Sequence, residues 1–166
     1  TVGRFVGLAL ETRPDTICDF AAARQLREFG ATRLQIGVQH TDDAVLSKIN
    51  RGCVHADAVR CVRLLKNSGY KIDIHLMPSL PGASAELDAR MFRDVVADDL
   101  LQADQWKVYP CQTVKHTVIN QWHAAGDYKP YSLEKLMEVV ITLKSAIPPW
   151  IRLNRIFRAL PAEHIT

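Results

Sequence analysis

At 166 residues, with 48% apolar and 23% charged side chains, the chain has the size and composition of one globular domain with a real core. Twenty-one basic against eighteen acidic residues leave a formal charge of +3, which permits a nucleic-acid partner without demanding one. No apolar stretch approaches the ~20 residues of a membrane span and no signal-peptide pattern opens the chain. Cys18, Cys53, Cys61 and Cys111 form no C-x-x-C pair, which argues against a zinc or redox motif and for reduced, buried thiols in an intracellular protein.

In chain order, the apolar run from Arg4 to Leu10 predicts a strand, with Glu11, Thr12, Arg13, Pro14 and Asp15 in the loop after it. "TICDFAAARQLREFG" predicts a helix whose apolar side carries Phe20, Ala21, Ala23, Leu26 and Phe29, with Gly30 as its stop. Thr32 to Gln39 is short, with apolar Leu34, Ile36 and Val38, and predicts a second strand. Asp42 and Asp43 are placed to cap a short helix through Ile49. "HADAVRCVRLLKNSG" predicts a longer one, with Val59, Val62 and Leu65 on one face and Gly69 ending it. "KIDIHLMPSLPG" reads as the third strand, broken by Pro78 and Pro81; "AELDARMFRDVVAD" as a helix; "QWKVYP" as the fourth strand. Helical stretches follow around "HTVINQW" and from Ser132 to Ile147, and "WIRLNRIFR" reads as a closing strand.

Strands alternating with helices predict parallel βα units, and near-continuous apolar strands predict burial on both sheet faces. An open doubly wound sheet and a barrel both fit this pattern. Glu11, Gln39, His75 and Tyr109 each fall at or near the C-terminal end of a predicted strand, which is where βα barrels build their sites. Four such units make half to two-thirds of a barrel and leave sheet edges to be covered.

The segments "LETRPD", "GATRLQIGVQHTDDAVLSKINRG", "YKIDIHLMPSLPG", "WKVYP", "GDYKPYS" and "PPWIRLNRIFRALP" run in order across essentially the whole chain. They resemble the radical SAM domain of the Elongator catalytic subunit family, tRNA acetyltransferases that begin carboxymethyl-type modification of the wobble uridine. The resemblance implies a partial TIM-type (βα) barrel, with parallel strands and outer helices, that binds S-adenosylmethionine or a closely related adenosyl compound. Radical SAM enzymes of the coproporphyrinogen-oxidising type share its strand-end pattern. By that likeness Gln39 and His75 would lie by the ribose, Arg51 would meet the methionyl carboxylate, and Glu11 would face the cofactor. An arginine can grip a carboxylate through two parallel hydrogen bonds, and an amide suits ribose hydroxyls. Each residue also has an ordinary reading. Arg51 can serve as a cation at a helix C-terminus, Gln39 as a partner for its own loop and His75 as a core histidine. Glu11 and Arg13 can form no more than a loop ion pair.

The same resemblance makes residues 1–166 the C-terminal portion of a radical SAM domain. The three cysteines that hold the iron–sulfur cluster would precede it, and the GNAT domain with its acetyl-CoA site would follow it, so the piece alone is expected to be inactive. None of the four cysteines has the cluster spacing. Three positions depart from the family: Ala159 where an acid is usual, His40 where serine is common, and Cys53 where histidine is usual. For tRNA phosphates the candidates are Lys107, Lys115, Arg152, Arg155 and Arg158, against which stands a plain solvated basic face. Expected partners are tRNA, other Elongator subunits in a eukaryote, and a second copy in a homodimer, with a cytoplasmic or nuclear location and no membrane. The alternatives are an adenosyl- or tRNA-binding module that has lost its cluster, and a different radical SAM enzyme.

Overall fold

The computed structural model describes residue 3, residues 5–157 and residue 165. Arg4, Arg158 and Ala159 lie outside the described residues. Five strands form one sheet: β1 (Ala9–Thr12), β2 (Arg33–Gln39), β3 (Lys71–Leu76), β4 (Gln105–Val108) and β5 (Arg152–Ile156). Every neighbouring pair is parallel, and the order across the sheet is the order along the chain. A doubly wound sheet reverses its direction of growth at a switch point; this one never does. Each crossover returns over the same face, so the sheet is a segment of a βα barrel.

The helices are α1 (Phe20–Glu28), α2 (Asp43–Lys48), α3 (His55–Asn67), α4 (Ala85–Ala97), α5 (Val118–Ala125) and α6 (Leu133–Ala146). Their starts follow the capping chemistry. Asp19, Asp42, Ser84, Thr117 and Ser132 each accept backbone N–H groups of the following turn. One face of the sheet, carrying Leu34, Ile36, Ile72, Ile74, Leu76, Trp106 and Val108, is sealed by α3, α4 and α6 residues such as Val62, Leu65, Phe92 and Leu143.

Three expectations are corrected. The first strand does not run from Arg4 to Leu10: it begins at Ala9 and takes in Glu11 and Thr12, while Phe5 and Val6 are 92% and 85% exposed. The reason lies in its partner. Pairing starts at Ala9 opposite Arg33, and Thr32 closes the ladder by accepting the Leu8 N–H through its hydroxyl while Leu8 O accepts the Thr32 and Arg33 N–H groups. Strand β2 has nothing to offer upstream of that point. In α1 the packed face is Ala22, Ala23 and Leu26, and Phe20 and Phe29 at its two ends are 64% and 65% exposed.

The sheet is also not apolar on both sides. The row Glu11, Gln35, Asp73, Gln105 and Arg152 runs across all five strands in register, and the next row carries His75, Lys107 and Arg155. Arg152 and Arg155 are three apart, which on a regular strand would put them on opposite faces. A bulge at Asn154 sets Trp106 against Leu153 and Lys107 against Arg155, so both arginines share the polar face.

Candidate functional site

On that polar face, at the C-terminal ends of the strands, lies a cleft of about 530 Å³. All five strands reach it, through Glu11 of β1, Gln39 of β2, His75 of β3, Lys107 and Tyr109 at β4, and Arg155 of β5. Met77, Cys111, Val114 and Ile119 supply an apolar wall. The four strand-end residues singled out from the sequence therefore converge on one cavity.

His75 is nearly buried, and its Nδ1 stands 3.5 Å from Glu11 Oε1. Burial, aided by the charge of Lys107, pushes the imidazole below its ordinary pKa, and the Glu11 carboxylate opposes that shift. The Tyr109 ring meets it edge-on, with ring centroids 5.9 Å apart. Lys107 donates from Nζ to Gln35 Oε1, which holds the ammonium low in the cleft. Gln39 has a left-handed backbone, φ +70°, and its carbonyl accepts the Met77 N–H at 2.8 Å. Its side chain turns back over Gly37.

Arg51 does not line the cleft. The turn after α2, with Asn50 at φ +53°, brings it behind Gln39, where Nη2 donates to the Gly37 carbonyl. Three buried polar atoms of this group have no hydrogen-bond partner among the described residues: Gln39 Oε1, Arg51 Nε and His75 Nε2. Such atoms cost about 1–3 kcal/mol each when left unpaired, so they suit a polar ligand able to pair with an amide, a guanidinium and an imidazole. The loop ion pair of Arg13 is with Asp15, two-pronged at 2.8 and 2.9 Å, and not with Glu11, and Arg13 lies against Gly52.

The basic residues divide. Lys107 and Arg155 line the cleft, and Arg152 lies one row below on the same face. Lys115 is exposed in the segment after β4, beside Val114 of the cleft wall. Below them Asp73 is fully buried, with Arg33 Nε 3.8 Å from Oδ1 and no hydrogen bond on either oxygen. Burial raises its pKa against the pull of Arg33, Lys107 and Arg152. Sequence reading passed over Asp73 and Gln35, although the alternation in "RLQIGVQ" and "KIDIHL" carried the signal.

Cys18 is exposed, Cys53 half-buried, and Cys61 and Cys111 buried. Among the described residues no three His, Cys, Asp or Glu side chains gather as a metal site. No helix among them is long and apolar enough to cross a membrane.

A singly wound parallel sheet with a strand-end cleft defines a βα-barrel binding domain. The sequence pattern of the radical SAM superfamily matches residues 4–92, and that of the Radical_SAM C-terminal domain matches residues 103–166. The chain belongs to the radical SAM superfamily. It is 38% identical over 162 residues to the tRNA uridine(34) acetyltransferase of Methanocaldococcus infernus, covering 98% of this chain and 30% of that protein. It is 32% identical over 161 residues to Elongator complex protein 3 of Saccharomyces cerevisiae, covering 97% of this chain and 29% of that one. The solved structure of the M. infernus Elp3 with residues 1–46 deleted superposes with a TM-score of 0.90 at 38% identity, over 96% of this chain and 37% of that one. The resemblance to the Elongator catalytic subunit family and the partial-barrel fold are both borne out. The chain spans about a third of the length of these relatives.

Proposed function

We propose that the chain is the adenosyl-binding part of a tRNA wobble-uridine acetyltransferase, forming the C-terminal portion of its radical SAM domain. The iron–sulfur ligands and the acetyl-CoA domain belong to other parts of a longer protein. The observation that carries this reading is the set of unpartnered buried atoms on Gln39, Arg51 and His75 beside a cleft fed by every strand.

S-adenosylmethionine, when bound, would supply a reductively cleavable carbon–sulfur bond. The residues of this chain bind and orient it. Gln39 and His75 offer an acceptor and an imidazole nitrogen to ribose hydroxyls, and Glu11 stands at the mouth with its charge toward the ligand. The Arg51 guanidinium, fixed on one side by the Gly37 carbonyl, keeps Nε for the carboxylate. Met77, Cys111 and Ile119 exclude water from the heterocycle. Lys107, Arg152 and Arg155 serve tRNA phosphates at and below the cleft, with Lys115 beside its wall and Arg158 further along the chain, and each such contact is sensitive to salt. A cytoplasmic or nuclear setting, Elongator subunits in a eukaryote and a homodimer complete the proposal.

The test uses the full-length, cluster-reconstituted protein under anaerobic conditions. S-adenosylmethionine binding is measured by titration calorimetry and uridine modification by nucleoside analysis. Arg51→Ala is expected to fold, to bind S-adenosylmethionine at least about tenfold more weakly, and to lose modification. Unchanged binding in the folded variant overturns the role of Arg51, and absence of binding in the parent protein overturns the adenosyl reading.

A further inference from the structure

Asp88, on the buried side of α4, is fully buried and is not among the residues lining the cleft, yet it receives three hydrogen bonds from three different loops. Ser79 N–H donates to Oδ2 at 2.7 Å, Tyr131 O–H donates to the same oxygen at 2.8 Å, and His40 Nε2 stands 3.1 Å from Oδ1. His40 is itself fully buried, and its Nδ1 accepts the Asp42 N–H at 2.9 Å. That places the ring proton on Nε2, facing the carboxylate. All three partners are donors, so only a group with no proton of its own satisfies them together.

What the carboxylate holds is the geometry of the cleft. Ser79 has φ +64° and Gln39, the neighbour of His40, has φ +70°. Left-handed backbone at non-glycine residues is unfavourable and persists only where surroundings enforce it. The two strained sites lie at the ends of adjacent strands and are linked, since Met77 N–H donates to Gln39 O. Further bonds finish the turn: Cys111 N–H donates to Pro78 O at 2.8 Å, and Tyr128 O–H donates to Ser79 O at 2.6 Å. Asp88 is thus bonded both to the turn that follows Met77 and to the residue that follows Gln39.

We infer that Asp88 is a positioning residue for adenosyl binding, acting through His40 and Ser79 to set Gln39 and Met77 at the cleft. This deepens the proposed function and rests on it. Replacement by the isosteric amide puts a donor against at least one of the three donors.

The experiment compares parent, Asp88→Asn, Tyr131→Phe and, as a control of similar melting temperature, Val62→Ala, whose site is in the core behind the sheet. Each is made in the full-length protein and read by two measurements. The first is the Kd for S-adenosylmethionine. The second is amide hydrogen exchange of residues 77–82 and 39–42 without ligand. Asp88→Asn is expected to raise Kd by about tenfold or more and to speed exchange in both segments, with Tyr131→Phe intermediate and Val62→Ala like the parent. Wild-type Kd and exchange in Asp88→Asn overturn the inference, as does an equal rise of Kd in Val62→Ala. If Asp88→Asn fails to fold, Tyr131→Phe decides: wild-type exchange at 77–82 overturns the inference. If the parent binds no S-adenosylmethionine, the proposed function fails, while the exchange pattern still judges Asp88.

Discussion

Arg51 reaches back over fourteen residues to the carbonyl of Gly37, and a methyl group on Gly37 would stand 2.6 Å from its Nη2 and 2.9 Å from Gln39 Nε2. Glycine is there because the Arg51 and Gln39 side chains occupy the space of its missing Cβ. Gly37→Ala must therefore displace Arg51, Gln39 or both. The expected loss of stability is about 1–3 kcal/mol. S-adenosylmethionine affinity should fall at least as far as in Gln39→Ala. Denaturant unfolding and calorimetric titration of the full-length protein check both, and an unaltered affinity sinks the idea.

Asp73 is expected to destabilise the fold at neutral pH. Its folded pKa is raised, so the folded state holds the proton more tightly than the unfolded chain, and this group's contribution improves as pH falls through the folded value. Asp73→Asn should then stabilise the protein by about 1 kcal/mol at pH 7. The gain should shrink toward pH 4. Melting curves of the two proteins across that range give the answer, and a destabilised variant at pH 7 refutes it.

His75 predicts the opposite slope. Its folded pKa is depressed from 6.5, so the unfolded chain takes up the proton first on acidification. The contribution of neutral His75 is complete above about pH 6.5 and is lost as pH falls toward the folded pKa. His75→Asn should flatten stability in that window. Glu11→Gln should extend the loss to lower pH, because the carboxylate is what holds the imidazole pKa up. Stability measured against pH for the three proteins separates these outcomes.

The cysteines should differ sharply toward a thiol reagent. Cys18 is exposed, with its Sγ donating to Asp15 O at 2.9 Å, and should react first, with half-buried Cys53 slower. Burial lifts the Cys61 thiol to about 12 and raises that of Cys111, so neither should react before unfolding. Timed labelling with peptide mapping checks the order.

Most helix boundaries were legible because their causes are local: an aspartate or serine accepting the first N–H groups, a glycine after the last turn. The start of β1 was not, because its length is set by where β2 can pair. The burial of Phe20 and Phe29 was misread because helical spacing says which side a residue is on, not whether anything lies against it. The polar face was present in the alternation of "KIDIHL", but the apolar half of that alternation was given all the weight. Glu11, Gln39, His75 and Tyr109 could be placed because strand ends in a βα fold face one way. The place of Arg51 behind Gln39 depends on the turn at Asn50. The contacts of Asp88 span forty-eight residues to His40 and forty-three to Tyr131, beyond any local pattern.

The bulge at Asn154 has a consequence for how the gene can change. In a regular strand, losing one codon turns the following side chains over to the other face. Deleting Asn154 itself would instead leave Leu153 opposite Trp106 and Arg155 opposite Lys107, as they are now. A shortened "RLRI" thus keeps both arginines on the polar face and Leu153 on the apolar one, whereas loss of Leu153 would set Asn154 against Trp106, and length variation among natural versions should collect at Asn154.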